Sequence, residues 1–374
     1  MKIVIAPDSY KNALRASAVA EAMRSGWQQS RPQDETVLLP MSDGGEGLCD
    51  ALCAALNGTK VEVPSHDALM RERCALAVIS GETAVVESAE ANGIELLHRS
   101  ELSPLKTTTF GVGEIIKTLI EKYHCRNFII GIGGSSTVDG GAGMLQALGY
   151  RFFDRCGREI APGAGGGALK EICRMEGSAA ENLLSGVKIQ VACDVTNILC
   201  GVTGSAAVFG PQKGATPDDV KILDANLEHF ARIWQDAGKM PGDGAAGGLG
   251  FALRMLGAEM VKGAALVMEH TGFYHALAGA DLVLTGEGCS DDQTACGKLC
   301  SEIARATAEK GIPAVLISGA LRGDCRDLEK LFAGCFSVSR GVCTLDEALA
   351  ASEENIRRTV RNLAVFAGSF FRRK

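Results

Sequence analysis

The segment from Phe128 to Gly143, FIIGIGGSSTVDGGAG, combines residue types that could bind an anion. Its apolar run ends without transition in glycines, hydroxyl residues and an aspartate. Glycine lets the backbone approach a ligand closely, and donors near the amino terminus of a following helix attract negative charge. The pattern predicts a phosphate-binding turn, whose candidate ligands are Gly133, Gly134, Ser135, Ser136, Thr137 and Asp139.

The same turn also has a purely structural interpretation. Glycine and serine often serve only to change the direction of the chain between a strand and a helix and to cap that helix. Neither GxxxxGKS nor GxxxxGKT, the usual phosphate-loop patterns, occurs anywhere in the chain. Anion binding by this turn therefore needs support from other parts of the sequence.

That support comes from acidic residues that follow other predicted strands. Because ligands bind outside the carboxyl ends of parallel strands in open α/β sheets, we expect these acids to converge on one cleft. Mg²⁺ takes oxygen ligands and shares them with phosphates, so it is the predicted metal. Each acid alone could instead cap a turn. The acids are Asp8, Asp43, Glu46, Asp139, Asp194, Glu287 and Asp291.

Asp194 and three lysines are further candidates. Asp194 follows the apolar IQVA closely, at a sheet edge where a general base could take a proton from an alcohol. Lys11, Lys213 and Lys298 could neutralise phosphate charge, although most lysines are simply solvated. Lys213 is the favoured one, because the glycines and proline of FGPQKG specify a turn while its long side chain is free to point inward.

Composition limits the classes of protein to consider. A chain of 374 residues predicts two domains. A net charge of −7 without a large basic block argues against nucleic-acid binding, and no apolar run is long enough for a membrane span. The 14 cysteines are scattered and no CxxC or metal-ligand histidine spacing occurs, which favours small apolar packing in a reducing compartment. We expect a cytoplasmic protein.

Alternating strand and helix patterns position these candidates. The segment 1–6 is a predicted strand, followed by a helix that buries Val19, Met23 and Trp27, and a capped helix is predicted from 216 to about 236. The residues 242–247 match GxGxxG literally, but a helical pattern and Pro241 precede them instead of a strand. A dinucleotide-binding site is therefore not predicted there, and those glycines more plausibly allow close packing.

Eight motifs in this order resemble the type 1 glycerate kinases, which transfer phosphate from ATP to D-glycerate. The resemblance covers essentially the whole chain. The motifs are IAPDSYKNAL at Ile5, PMSDGGEG at Pro40, TTTFGVGE at Thr107, GIGGSSTVDGGAGM at Gly131, ACDVTN at Ala192, FGPQKGA at Phe209, GAAGGLG at Gly244 and LTGEGCSDDQTACGK at Leu284.

The resemblance implies an α/β enzyme of two domains that uses ATP and Mg²⁺, with its active site in the cleft between the domains. One domain would be Rossmann-like, with three layers around a mainly parallel sheet, and would comprise residues 1–65 and 281–374. The other would be an inserted α/β domain over residues 66–280. The strands 1–6, 36–40, 281–285 and 313–318 could then share one sheet. The expected partners are the small molecules D-glycerate and ATP, with homodimer formation left open.

The site residues implied by this resemblance have three kinds of role. Asp194 would accept the hydroxyl proton or hold the metal, and Lys213 and Asp291 would join it as catalytic residues. Asp43, Glu46 and Glu287 are the candidate metal ligands. The substrate or phosphate would be bound by Asp8, Ser9, Lys11, Gly133, Gly134, Ser135, Ser136, Thr137, Asp139 and Lys298.

Two departures from the family pattern leave other functions open. Cys289 stands where relatives usually have arginine, and Ala13 replaces a small hydroxyl residue of the usual KxSLSA stretch. A nucleotide-binding relative with impaired catalysis is therefore one alternative, and a nicotinamide-dependent dehydrogenase of a small hydroxy acid is another. For a kinase, the 2-phosphate of glycerate is the favoured product over the 3-phosphate, since the reacting hydroxyl is set by fine placement.

Overall fold

A computed structural model describes residues 1–291, 294 and 298–370 of the chain. Within these residues the strands are β1 (Lys2–Ile5), β2 (Glu35–Leu38), β3 (Thr59–His66), β4 (Glu72–Ser80), β5 (Thr83–Glu87), β6 (Asn127–Gly131), β7 (Arg151–Phe153), β8 (Arg174–Glu176), β9 (Lys188–Ala192), β10 (Glu259–Val261), β11 (Leu282–Ser290), β12 (Ala314–Leu321) and β13 (Gly334–Ser337).

The α-helices of the same residues are α1 (Ala16–Gln28), α2 (Leu48–Ala55), α3 (Ala89–Asn92), α4 (Phe110–Glu121), α5 (Ala142–Leu148), α6 (Ser178–Leu183), α7 (Ser205–Phe209), α8 (Pro217–Ile233), α9 (Leu249–Met255), α10 (Gly263–His270), α11 (Phe273–Ala276), α12 (Leu299–Ala308), α13 (Arg326–Leu331), α14 (Leu345–Ala350) and α15 (Ser352–Phe370). No helix of this described part is long and apolar enough to cross a membrane.

The chain divides into two compact units. The first unit comprises Met1–Asp43, Asp50–Leu56 and the described residues from Ala264 onward. The second unit comprises Gly44–Cys49 and Asn57–Gly263. The domain bounds expected from the sequence, 1–65 with 281–374 and 66–280, stay a prediction, as does the cleft between domains.

The first unit is a Rossmann-like α/β unit built on a five-stranded parallel sheet in the order β13-β12-β11-β1-β2. Helices α1 and α15 cover one face, where Ile3 and Trp27 belong to one buried cluster. Successive side chains of a strand point to opposite faces, so Val4, buried outside that cluster, points to the other face. Helix α12 packs on β11 and β12. The expected shared sheet is confirmed, with β13 as a fifth strand.

The second unit has a six-stranded mixed sheet in the order β10-β9-β6-β5-β4-β3. Strands β5, β6, β9 and β10 pair in parallel, whereas β3 and β4 are antiparallel additions. Apolar residues of α4, α5, α8 and α9 form the core with this sheet, and Phe128, Ile116 and Phe230 are among the buried ones. The fold class expected from the sequence is therefore confirmed.

One expected strand boundary was wrong. The sequence predicted a strand at 281–285 and a glycine turn after it, but β11 continues to Ser290 and pairs with β12 up to Leu321. A Cβ on Gly286 would stand 1.9 Å from the Ile317 carbonyl oxygen, and one on Gly319 would stand 2.3 Å from the Gly288 carbonyl oxygen. These glycines allow two backbones to approach closely within the sheet and do not end the strands.

The segment 242–247 agrees with its interpretation as a packing element. It comes after α8 and its second half lies in a 3-10 helix (Ala245–Gly248), so no strand leads into it. A Cβ on Gly247 would stand 1.9 Å from the Thr137 carbonyl oxygen, and the Gly247 carbonyl accepts a hydrogen bond from the Gly140 amide at 2.9 Å. These glycines thus let the chain pack directly against the turn that follows β6.

Candidate active site

The ends of four parallel strands form the edge of the second unit on which its candidate residues gather. Glu87, Gly131, Ala192 and Val261 are neighbours in register on β5, β6, β9 and β10. The segments that follow these residues begin at one edge of the sheet, the position at which open α/β sheets bind ligands. The sequence motifs at 131–143 and 192–197 both start from this row.

The turn after β6, residues 133–137, begins with exposed residues and continues into buried ones. Gly133 and Gly134 are exposed, whereas Ser135, Ser136 and Thr137 are buried. Gly134 has a φ of 70°, a left-handed conformation that glycine adopts without strain. Successive amides in such a conformation form a concave anion-binding surface. We refer to residues 133–137 as the glycine turn.

A buried polar network holds the glycine turn from behind. The Asn92 carbonyl accepts hydrogen bonds from the Ser136 amide at 2.7 Å and from the Ser136 hydroxyl at 2.9 Å. The Asn92 side-chain amide donates to the Thr137 hydroxyl at 3.1 Å, and the Thr107 hydroxyl donates to the Ser136 carbonyl at 2.9 Å. The hydroxyls of Ser136 and Thr137 therefore point into the protein, where they fix the backbone of the turn.

Asp139 is also placed inside the protein. Its carboxylate accepts hydrogen bonds from the amide and hydroxyl of Thr109 at 2.7 and 2.8 Å and from the amides of Gly141 and Gly143 at 3.1 and 3.2 Å. Burial raises the pKa of this carboxyl group, while these hydrogen bonds oppose the shift. Its expected contact with substrate stays a prediction, and the geometry gives it a role in supporting the turn.

The side chain of Lys213 also holds the glycine turn. Its ammonium group donates to the Ser135 hydroxyl and to the Thr137 carbonyl, both at 2.8 Å, and the residue is 2% exposed. Burial lowers the pKa of Lys213 to about 7, although the nearby Asp139 carboxylate opposes the shift. The expected inward orientation is therefore observed, and the catalytic role stays a prediction.

Asp194 lies two residues beyond β9 and is exposed. Its Oδ1 accepts a hydrogen bond from the Gly263 amide at 2.9 Å. This bond links the segment that follows β9 to the first residue of α10. An exposed carboxylate whose orientation is fixed by a hydrogen bond is suited to act as a general base. Here the structure places the side chain as the sequence predicted, at the sheet edge.

The loop 44–49, which we call the acidic loop, packs on the same edge and carries the exposed Glu46. A Cβ on Gly44 would stand 2.6 Å from the Ala192 Cβ, and one on Gly131 would stand 2.5 Å from the Gly44 carbonyl oxygen. A Cβ on Gly133 would stand 3.1 Å from the Gly45 Cα. The glycines of two distant motifs therefore let the acidic loop and the glycine turn lie in direct contact.

The first unit gathers a separate set of acids, which follow β1 and β2 or lie in and just after the second half of β11. The Asp8 amide donates to the Gly286 carbonyl at 2.8 Å, and the Asp8 Oδ1 accepts from the Ser9 amide at 2.6 Å. Burial, together with the negative charges of Asp43 and Glu287, raises the pKa of Asp8 to about 8. Three carboxyl groups close enough to repel one another form the acidic cluster of this unit.

Glu287 and its neighbours complete that cluster. Glu287 Oε1 accepts hydrogen bonds from the hydroxyls of Ser290 at 2.9 Å and Thr294 at 2.8 Å, and burial raises its pKa. The Lys298 ammonium lies 4.0 Å from Asp291 Oδ1, and both side chains are more than a third exposed. Lys11 is exposed after β1. The first unit thus brings together the predicted residues Asp8, Ser9, Asp43, Glu287, Asp291 and Lys298.

The chemistry of this acidic cluster fits a divalent cation. Among the described residues, no group of three or more histidine, cysteine or acidic side chains forms a complete metal cage. Mg²⁺ does not require one, because it keeps several waters and binds proteins through one or two carboxylates plus substrate phosphates. The mutual repulsion that raises the pKa of Asp8 would be relieved by such an ion. Asp43 and Glu287 would hold it in this unit.

Some supporting residues were missed by the sequence analysis. Glu87 and Asn92, which contact the acidic loop and the glycine turn, lie in the segment VESAEANG, where no residue was singled out. A glutamate at the end of a strand and an asparagine in a short helix form no local pattern that would mark them. Cys289, the departure from the usual arginine, is half-buried on β11 opposite Ala320.

Comparison with known proteins gives one consistent result. Residues 3–367 match the family described as the glycerate kinase family. The chain is 41% identical over 373 residues to a Bacillus subtilis protein named glycerate kinase, and 41% identical over 373 residues to an Escherichia coli protein named glycerate 2-kinase. Each alignment covers 97% of this chain and 97% of the relative.

The fold of the chain matches a solved structure as well. A candidate glycerate kinase 2 from Salmonella typhimurium LT2 superposes with a TM-score of 0.88 at 40% sequence identity. The match covers 99% of this chain and 98% of that one. Similarity of this length and level leaves no part of either unit without a counterpart.

Proposed function

This chain belongs to the glycerate kinase family, and from that premise we propose that it transfers the γ-phosphoryl group of ATP to the 2-hydroxyl of D-glycerate with Mg²⁺. The family makes it a kinase that phosphorylates glycerate and takes ATP as a substrate. The finer choice of the 2-phosphate is supported by the relative named glycerate 2-kinase. We also propose the type 1 subgroup, on the eight motifs, and a cytoplasmic location. The dehydrogenase alternative is set aside.

The observation that carries the proposal is the edge of the second unit's sheet, where exposed glycines and a hydrogen-bonded carboxylate follow one row of strand ends. Gly133 and Gly134 offer donors to an anionic group of a substrate, either the glycerate carboxylate or a phosphate. Asp194 offers an acceptor for a hydroxyl proton. Phosphoryl transfer depends mainly on such positioning and on charge stabilisation, because the protein has little covalent chemistry to perform.

The acidic cluster of the first unit supports the proposed use of Mg²⁺. Asp8, Asp43 and Glu287 concentrate negative charge that ATP phosphates would also carry, so a cation is needed wherever the two meet. Mg²⁺, when bound, neutralises phosphate charge and orients the transferring group. Ser290 and Thr294 orient Glu287 through their hydroxyls, and Lys298 beside Asp291 supplies a mobile positive charge for a phosphate.

Product analysis tests the reaction directly. Incubation with ATP, Mg²⁺ and D-glycerate is expected to form ADP and 2-phosphoglycerate, identified by the coupling of the phosphorus signal in ³¹P NMR. Formation of 3-phosphoglycerate would refute the proposed position of attack. Binding of ATP without ADP formation would instead identify the chain as a catalytically impaired relative.

Addition of Mg²⁺ is expected to stabilise the first unit. An ion that binds only the folded chain adds about 2.7 kcal/mol to the free energy of unfolding at 100 times its Kd. Replacement of Asp43 by asparagine removes one ligand, so the stabilisation should require a higher Mg²⁺ concentration. Thermal unfolding followed over a Mg²⁺ titration measures both effects.

The matched control for this titration is Asp281→Asn. Asp281 accepts a hydrogen bond from the Lys2 amide at 2.8 Å, so it lies at the opposite end of the same sheet. Asparagine keeps an acceptor oxygen there. Equal Mg²⁺ dependence of the two variants would place the metal elsewhere.

A further inference from the structure

Glu87 joins two loops of the second unit that are distant in sequence. It is the last residue of β5 and lies opposite Gly131 in register. Its carboxylate accepts hydrogen bonds from the Gly47 amide at 3.2 Å and from the Cys49 amide at 2.8 Å. One side chain at the end of β5 therefore holds the far end of the acidic loop.

These two hydrogen bonds hold the end of the acidic loop that follows Glu46. The near end is held by packing, because the Gly44 carbonyl and Gly45 Cα lie against Gly131 and Gly133. Without Glu87, the amides of Gly47 and Cys49 would lose a charged acceptor, and bonds to charged acceptors are stronger than neutral ones. The far end of the loop would then lose its two hydrogen bonds to Glu87.

The negative charge of Glu87 also affects which of the two loops can bind an anion. The Cys49 amide lies in the first turn of α2, where backbone donors and the helix dipole attract anions. Because a carboxylate of the chain already occupies these donors, a phosphate would be repelled from them. Gly133 and Gly134 are exposed on the neighbouring loop, so the glycine turn is the loop left to bind the anion.

We propose that Glu87 is a positioning residue of the kinase reaction, which anchors the acidic loop against the glycine turn through the amides of Gly47 and Cys49. The inference rests on the proposed function, since the acidic loop carries the candidate metal ligand Glu46. Asn92, five residues later, anchors the glycine turn itself. Glu87 and Asn92 thus each hold one of the two loops.

The test compares Glu87→Ala and Glu87→Gln with Glu90→Ala. Glu90 is a matched control, because its carboxylate also accepts a backbone hydrogen bond, from the Leu76 amide at 3.1 Å, but on β4. Misplacement of a reacting group by about 1 Å costs on the order of 10²-fold in rate. We therefore expect kcat of Glu87→Ala to fall about 10²-fold while KM for glycerate changes less than about threefold. Glutamine retains one acceptor oxygen and should recover part of kcat.

Amide hydrogen exchange gives a second readout that does not depend on activity. The amides of Gly47 and Cys49 should exchange faster in Glu87→Ala and at the wild-type rate in Glu90→Ala. Unchanged exchange at these amides, or faster exchange with an unchanged kcat, would overturn the inference. Should Glu87→Ala fail to fold, the glutamine variant carries the same comparison. A wild-type chain with protected amides but no glycerate phosphorylation would instead overturn the proposed function.

Discussion

Replacement of Asp194 by asparagine is expected to lower kcat by about 10² to 10⁴-fold without unfolding the chain, since general-base catalysis contributes rate factors of this size. Asparagine keeps the oxygen that accepts the Gly263 amide, so the tether between the end of β9 and α10 should survive. What asparagine removes is the capacity to take a proton. Steady-state kinetics with ATP, Mg²⁺ and D-glycerate, together with thermal unfolding, measure the two outcomes.

The control for this variant is Asp224→Asn. Asp224 Oδ1 accepts a hydrogen bond from the Gly201 amide at 2.8 Å, so it makes the same kind of bond to a glycine amide in the same unit. Its replacement should leave kcat within about threefold of wild type. Near-normal turnover of a folded Asp194→Asn protein would show that the base is another group.

A Mg²⁺ titration of Asp194→Asn distinguishes the two roles that remain open for this residue. If Asp194 takes the proton, the loss in kcat persists at saturating Mg²⁺. If Asp194 holds the metal, the Mg²⁺ concentration for half-maximal activity rises and added metal restores part of the rate. The observed tether favours the first outcome, because one carboxylate oxygen is already engaged with Gly263.

Replacement of Lys213 by methionine is expected to lower kcat/KM by about 10 to 10²-fold, because the glycine turn loses a support on which its geometry depends. The methionine side chain has similar length, but it cannot donate to the Ser135 hydroxyl or the Thr137 carbonyl. Leaving a buried polar group without its partner costs about 1 to 3 kcal/mol. The effect should appear mainly in the binding of the anionic substrate group that the turn holds.

The pH dependence of stability provides a separate signature of Lys213. Its pKa in the folded chain is about 7, below the ordinary value of 10.5, so between these values the unfolded chain binds a proton that the folded chain does not. The free energy of unfolding of the wild type, relative to Lys213→Met, should therefore rise with pH from about 7 to about 10.5. The slope approaches about 1.4 kcal/mol per pH unit. Denaturant unfolding at several pH values measures this difference.

Lys221→Met is the matched control for Lys213→Met. The Lys221 ammonium forms an exposed ion pair with Asp218 at 2.9 Å on α8, so its removal should change neither kcat/KM nor the pH slope appreciably. A pH-independent difference between wild type and Lys213→Met would show that the lysine keeps its proton in the folded chain.

Much of the candidate site followed from residue types and order. The glycines and hydroxyls of residues 131–143 predicted a turn at a strand end, and a turn with exposed Gly133 and Gly134 follows β6. The closeness of Asp194 to an apolar run predicted its place beside the sheet. These inferences succeeded because a parallel sheet aligns the ends of its strands, so a local pattern is sufficient to place a residue.

Other roles could not be predicted, because they depend on contacts between residues distant in sequence. From sequence alone, the Ser136 hydroxyl could face either a ligand or the protein interior. The structure shows that it faces the interior, because it donates a hydrogen bond to the Asn92 carbonyl. Asp139 was grouped with the ligand-binding acids for the same reason, although four of its partners are amides and hydroxyls of the protein. The sequence shows which polar groups could bind a ligand, and the packing shows which of them already form hydrogen bonds within the protein.

The glycines show most clearly which properties follow from the sequence and which depend on the tertiary structure. The sequence by itself determined the α/β class, the family and the positions where the backbone must lack a side chain. Only the tertiary structure decided the purpose of each glycine: at 286 and 319 two strands approach within a sheet, whereas at 44 and 131 two loops meet at its edge. The physical reason is that a missing Cβ permits close approach by any neighbour, and the neighbour is specified by the fold of the whole unit.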